Sequence, residues 1–203
     1  MSQFALPLVA ADAATASRIV IGTANAQAIA ALRDPAAWPF GTAVLTGGPR
    51  SGKSLLARWF ADSGHGTAVD DAHQWDETDL FHRWNRAQAD DERLLLVAGT
   101  APWNIALPDL RSRLGAAMML EIGTPDALMA EELLLEHFAR RGLAPGEGAP
   151  RYLVPRMPRS FAGIERLVAE IDRISLERQC PPGQAVWRDA LETVVGPDEP
   201  RLL

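Results

Sequence analysis

The hydrophobic positions of this chain follow two periods, and the switches between them mark its elements. Thr42-Ala43-Val44-Leu45-Thr46 is a short apolar run closed by Gly47-Gly48, which predicts a buried strand. From Ser51 to Asp62 the spacing turns helical, with Leu55, Leu56, Trp59 and Phe60 recurring on one side. Gly64 and Gly66 end that helix, and Thr67-Ala68-Val69 predicts a short strand running into Asp70-Asp71. Thr78 to Ala89 is amphipathic, with Leu80, Phe81, Trp84 and Ala87 together. Arg93 to Gly99 is the clearest buried strand, and Ala117 to Ile122 predicts another. Upstream, Asn25 to Arg33 predicts a helix, broken by Pro35, Pro39 and Gly41.

After residue 123 the pattern is helical only. Thr124-Pro125-Asp126 predicts a helix start with Thr124 as N-cap, and Gly142 stops that helix after Arg140-Arg141. Residues 142–150 predict a loop. Ser160 opens a second helix to about Arg178, and Pro181-Pro182-Gly183 separates it from a last one over Gln184 to Val195. Alternating strands and helices imply an α/β class with a mainly parallel sheet. The expected organisation is a tail over 1–16, an α/β domain over 17–122 and a small all-α lid domain over 123–203.

Composition narrows the functional classes. The net charge is −6 and the pI about 5.2, which argues against a protein that holds DNA by neutralising phosphates. One cysteine, Cys180, excludes an internal disulfide and a cysteine-based zinc site, and suits a reduced, cytoplasmic setting. No apolar run reaches the roughly 18 residues that span a bilayer. The N-terminus has no basic segment of the kind that opens a signal peptide.

One residue stands out against this background. Of 20 Lys and Arg, nineteen are Arg, and Lys53 is the only lysine. It lies in Gly47-Gly48-Pro49-Arg50-Ser51-Gly52-Lys53-Ser54, which fits the phosphate-binding loop G-x-x-x-x-G-K-[ST]. A compact ammonium on a flexible stem follows β- and γ-phosphate oxygens where a planar fork fits less well. The strand before and the helix after, continuing through Leu55, supply the context that this motif requires. The loop reads as a site for ADP or ATP with Mg2+, Ser54 being a metal ligand and Asp70 holding the metal through its water shell. Asp71 and Thr100 are candidates near the terminal phosphate, the first to orient a water. Arg111 and Arg113, in Leu107-Pro108-Asp109-Leu110-Arg111-Ser112-Arg113-Leu114, read either as a solvated basic helix end or as cations offered to a neighbour's nucleotide. The six tryptophans read as packing residues, and the four histidines show no metal-ligand spacing.

The order GGPRSGKS, TAVDDA, LLLVAGTAPW, LPDLRSRL and then a helical tail resembles the AAA+ family. Within it the chain resembles the DnaA-related branch, and there the Hda-type homologues that regulate replication initiation. The resemblance implies a P-loop AAA+ core with a helical lid, and negative regulation through hydrolysis of DnaA-bound ATP. It implies the polymerase sliding clamp and DnaA as partners. Gln3, Phe4, Leu6 and Leu8, in Gln3-Phe4-Ala5-Leu6-Pro7-Leu8, then correspond to a clamp-binding peptide, with Gln3 on a polar rim and the apolar three in pockets. Arg113 corresponds to an arginine finger acting in trans, with Arg111 as the alternative. Val20, Ile21 and Asn25 fall where the family contacts adenine.

Three departures shape the expectation. Only sixteen residues (54–69) separate Lys53 from Asp70, whereas a βα unit needs roughly 30. The sheet should therefore have four strands rather than five. Ala162 stands where the family places a nucleotide-sensing arginine, with Arg156 and Arg159 offset. The acid pair is Asp-Asp, which fits the DnaA branch but not the commoner Asp-Glu. Together these favour nucleotide binding with weak or no turnover. The competing readings are a P-loop kinase of a small metabolite and a stand-alone DnaA-type ATPase. A DNA-binding initiator fits poorly, since no C-terminal helix-turn-helix is visible. A homodimer is compatible with the sequence.

Overall fold

A computed structural model of the protein describes residues 19–196. The proposed clamp-binding residues Gln3, Phe4, Leu6 and Leu8 lie outside the described residues. The chain divides into two units, residues 1–123 and 124–203.

The first unit holds a four-stranded, all-parallel sheet in the order β2-β3-β1-β4. Its elements run α1 (Ala26–Arg33), β1 (Thr42–Gly47), α2 (Lys53–Asp62), β2 (Thr67–Val69), α3 (Glu77–Ala89), β3 (Leu94–Val97), α4 (Pro108–Gly115) and β4 (Met118–Ile122). The central strands β1 and β3 are buried along their whole length, which is why they read as continuous apolar runs. On one face Val44, Leu94 and Leu96 pack with Leu80 and Ala87 of α3 and Leu110 and Leu114 of α4. Elsewhere in the unit, Trp38 stacks on Phe60 of α2 with ring centroids 5.2 Å apart.

The expected loss of a βα unit is visible as geometry. Only residues 63–66 separate α2 from β2, so β2 pairs with β3 and itself becomes the sheet edge. The turn needs Gly66, because a Cβ there would stand 2.3 Å from the Arg93 carbonyl oxygen. That carbonyl accepts the Thr67 amide at 2.9 Å, starting the pairing. The edge is only three residues long, which limits its exposure to foreign strands. Arg83 from α3 covers its start, donating to Thr67 Oγ1 and pairing with Glu92 at 2.8 Å.

The second unit is helical: α5 (Ala127–Arg140), α6 (Ala149–Leu153), α7 (Phe161–Arg178) and α8 (Gln184–Val195). Its core joins Leu134 and Phe138 of α5, Leu153 of α6, Ile164, Leu167, Val168 and Ile171 of α7, and Trp187 of α8. Ser160 caps α7 as expected, its Oγ accepting the Gly163 amide at 3.1 Å. The start of α5 differs from expectation. Asp126, not Thr124, is the N-cap, accepting from the Met129 amide at 2.8 Å. An ionised acceptor at a helix N-terminus also meets the positive end of the dipole, which a threonine cannot do. The predicted loop over 142–150 gives way near its end to α6, whose five residues are too few to show a period.

Burial lowers the pKa of His137 on α5 from its usual 6.5; Glu165 and Glu136 pull it upward, and Arg140 and Arg141 push it further down. The folded state therefore disfavours the imidazolium. The stability from the neutral form is complete above about pH 6.5 and is lost as pH falls through the lower folded value. Urea unfolding midpoints should hold steady above about pH 6.5 and drop as pH falls below it, and His137→Leu should flatten that drop. An unchanged slope in the variant would show that other groups carry it.

Candidate functional site

The phosphate loop is built where β1 ends. Gly47 terminates the strand between β3 and β4, and its amide donates to the Gly99 carbonyl at 3.0 Å. This ties the loop to the end of β3. A Cβ on Gly47 would meet Ile122 at 3.0 Å and Ser51 Oγ at 3.1 Å, so only glycine fits. The loop turns through left-handed backbone at Arg50 (φ 63°) and Gly52 (φ 88°) and enters α2 at Lys53. No side chain caps α2, which leaves its first-turn amides available to a ligand.

Two further observations fit a phosphate ligand. Ser51 Oγ is buried in the loop without a hydrogen-bond partner. Lys53 Nζ folds back on the loop, donating to the carbonyls of Gly47 at 2.8 Å and Gly48 at 2.9 Å. Burial lowers the Lys53 pKa, while the Asp70 and Asp71 carboxylates pull it back up. The lysine and the acid pair thus share one electrostatic neighbourhood. Asp70 and Asp71 follow β2 and are both exposed; Asp70 Oδ1 accepts the Asp71 amide at 3.0 Å. Thr100 is exposed just beyond β3, Ser54 is exposed in the first turn of α2, and Leu55 behind it is half-buried.

Val20 and Ile21 are half-buried in a segment outside helix and strand that Asn25 pins. Asn25 is buried; its Nδ2 donates to the Val20 carbonyl and its Oδ1 accepts the Gly22 amide, both at 2.9 Å. The Gly123 amide, just past β4, donates to Ala24 O at 2.9 Å. The segment is therefore anchored at the carboxyl edge of the sheet, the edge that also carries the loop, Asp70, Asp71 and Thr100. That edge is where open α/β sheets bind ligands.

The two arginines of α4 are placed differently from this site and from each other. Arg111 is exposed and spends its donors on the preceding turn, bonding the carbonyls of Ile105 at 2.9 Å and Ala106 at 3.1 Å. Arg113 reaches α3 instead. Its guanidinium lies over Phe81 at 4.4 Å and Trp84 at 4.7 Å, and Nη1 donates to Asn85 Oδ1 at 2.7 Å. Chain direction separates Arg113 from the loop: α4 leaves the carboxyl end of β3 and returns to the amino end of β4, and Arg113 sits in its last turn. In the helical unit, Ala162 is half-buried in the first turn of α7, and Arg156 covers Tyr152 at 4.5 Å.

Three site features escaped sequence reasoning. The orphaned Ser51 hydroxyl depends on loop burial, and the Asn85 contact joins residues 28 apart. His73 faces Gly99, where a Cβ would lie 3.5 Å from its Nε2. The i, i+3, i+4 spacing of Phe81, Trp84 and Asn85 was the one available hint of a shared face. Among the described residues no cluster of His, Cys, Asp and Glu could hold a metal without a nucleotide, and no helix is long and apolar enough to cross a membrane.

Solved structures resemble this arrangement across most of the chain. Domain III of the Thermotoga maritima replication initiation protein DnaA superposes with a TM-score of 0.72 at 13% identity, covering 88% of this chain and 95% of that one. The fold of this chain is similar to that of DnaA domain III. The Thermotoga maritima RuvB branch-migration motor matches at 0.63 and 18% identity, covering 88% of this chain and 73% of that one. A DnaA structure bound to AMPPCP and single-stranded DNA matches at 0.58 and 14% identity, covering 79% and 66%. No family model matches the chain, and no curated protein matches it in sequence.

Lys53 is the direct test of the loop. Losing a charge-assisted contact of about 1.5–3 kcal/mol should weaken adenine-nucleotide binding roughly tenfold to a hundredfold in Lys53→Ala. Fluorescent-nucleotide titration reads this, and undiminished affinity would remove the loop from the site.

Proposed function

We propose that this protein is a regulator of replication initiation, of the Hda type, that binds adenine nucleotide and the polymerase sliding clamp and promotes hydrolysis of DnaA-bound ATP. The observation that carries this reading is the separation of its two cationic sites. Lys53 belongs to a loop suited to phosphate, whereas Arg113 is mounted on α3 away from that loop. An arginine so placed serves a nucleotide held by another protein, as a finger in trans.

Lys53, the loop amides of Gly48 and of Arg50 to Leu55, and the Ser51 hydroxyl would hold the phosphates of ADP or ATP, with Pro49 shaping the turn. Val20 and Ile21 would border the base. Ser54 and Asp70 would hold Mg2+, which when bound screens the phosphate charges. Asp71 and Thr100 stand at the terminal-phosphate end of the same edge. With Ala162 in place of a sensing arginine and a Walker-type acid pair of two aspartates, the bound nucleotide sets conformation and is turned over weakly or not at all. The kinase alternative fits less well, because the four-residue connection from α2 to β2 leaves no segment there for a substrate lid.

Gln3, Phe4, Leu6 and Leu8 form the clamp-binding peptide in this reading, and the setting is the cytoplasm. Pull-down on the sliding clamp, with and without ADP, tests it. The wild type should be retained, and a Gln3→Ala/Leu6→Ala variant should lose at least about tenfold in retention, as expected when anchor residues of an interface are truncated. A wild type that fails to bind in both nucleotide states would overturn the proposal.

A further inference from the structure

The mounting of Arg113 has an unusual chemical composition. Other half-buried arginines among the described residues pair with carboxylates: Arg83 with Glu92 at 2.8 Å and Arg93 with Asp91 at 3.1 Å. Arg113 is also half-buried, yet its contacts are the faces of Phe81 and Trp84 and the amide oxygen of Asn85. All three are electrically neutral. Ring faces attract the guanidinium through their quadrupole and use none of its N–H donors. A single hydrogen bond from Nη1 to Asn85 then fixes the rotation of the planar group on those rings. Four of its five N–H donors stay uncommitted to α3, and its full positive charge is retained. A carboxylate in place of Asn85 would hold the group equally well and cancel that charge.

The platform itself is braced. Glu77, in the first turn of α3, accepts the amides of Ala106 and Leu107 with its two carboxylate oxygens. Arg111 bonds the carbonyls of Ile105 and Ala106. The segment leading into α4 is thus fastened to α3 before Arg113 is reached. This assigns different work to the two arginines: Arg111 fastens its own turn, and Arg113 is presented.

We infer that Asn85 is a positioning residue for Arg113: with Phe81 and Trp84 it preorganises an uncompensated guanidinium for the phosphates of a nucleotide bound by another protein. The inference rests on the function proposed above. Preorganisation matters because a cation already oriented needs no rearrangement as charge develops on the transferring phosphoryl group.

The test measures ATP hydrolysis by an ATP-loaded DnaA-type ATPase, with clamp on DNA, as the full-length chain is titrated in. Maximal rate and half-saturating concentration are read separately, with a melting curve for each variant. Arg113→Ala should reduce the stimulated rate by about a thousandfold or to background, as for loss of an arginine finger. Asn85→Asp and Asn85→Ala should lower the maximal rate by roughly tenfold to a hundredfold, with half-saturation and melting unchanged. A merely structural role would move melting or half-saturation instead. If Asn85→Asp destabilises the fold, Asn85→Ala decides. Wild-type maximal rate in the Asn85 variants, alongside loss in Arg113→Ala, overturns this inference and leaves the proposed function standing. Full stimulation by Arg113→Ala overturns this inference and the finger role of Arg113, whereas no stimulation by the wild type overturns the proposed function as well.

Discussion

Strand β1 is the constraint on which the rest of the first unit depends. It is paired on both sides, to β3 and β4, and buried on both faces, so it can neither slide nor twist away. Its last residue, Gly47, is therefore delivered to a fixed point between Gly99 and Ile122. The backbone then has no choice but to turn through Arg50 and Gly52 into α2, aiming the first amides of that helix and Lys53 at one small volume. The neighbouring strand ends bring Asp70, Asp71 and Thr100 to the same edge. The site is a consequence of parallel pairing, since all four strands end on one side.

The same topology sends the second cationic site elsewhere. Every helix that links two parallel strands must return to the starting edge, and α4 carries Arg113 back with it. Lys53 and Arg113 are thereby placed toward opposite ends of the parallel strands. Such a division suits a protein whose own nucleotide is a conformational ligand and whose arginine acts on a partner. The shortened segment between α2 and β2 is in keeping with it, because it removes a layer of the α/β core and leaves the loop and the α3–α4 platform intact.

Much of this was legible in the residues, for physical reasons that differ from place to place. The loop could be read because glycine at 47 and 52 answers backbone demands that no other residue meets. The four-stranded sheet could be read because sixteen residues cannot build an added strand and helix. Helix α6 could not, because Gly142 to Pro150 is rich in Gly and Pro and hides a helix of five residues. The cap of α5 was misplaced by two residues because Thr124 and Asp126 both carry capping oxygens, and only the chain's path selects one. The Arg113 mount was hidden because it joins two helices through a cation and a neutral amide, a pairing that no charge pattern reveals.

Nucleotide turnover by the purified protein alone probes the account at its centre. Single-turnover and steady-state measurements with ATP, without clamp or DnaA, should show the nucleotide bound and held, with no appreciable repeated turnover. Brisk steady-state hydrolysis that disappears in Lys53→Ala would contradict it, because the chain would then be an ATPase in its own right.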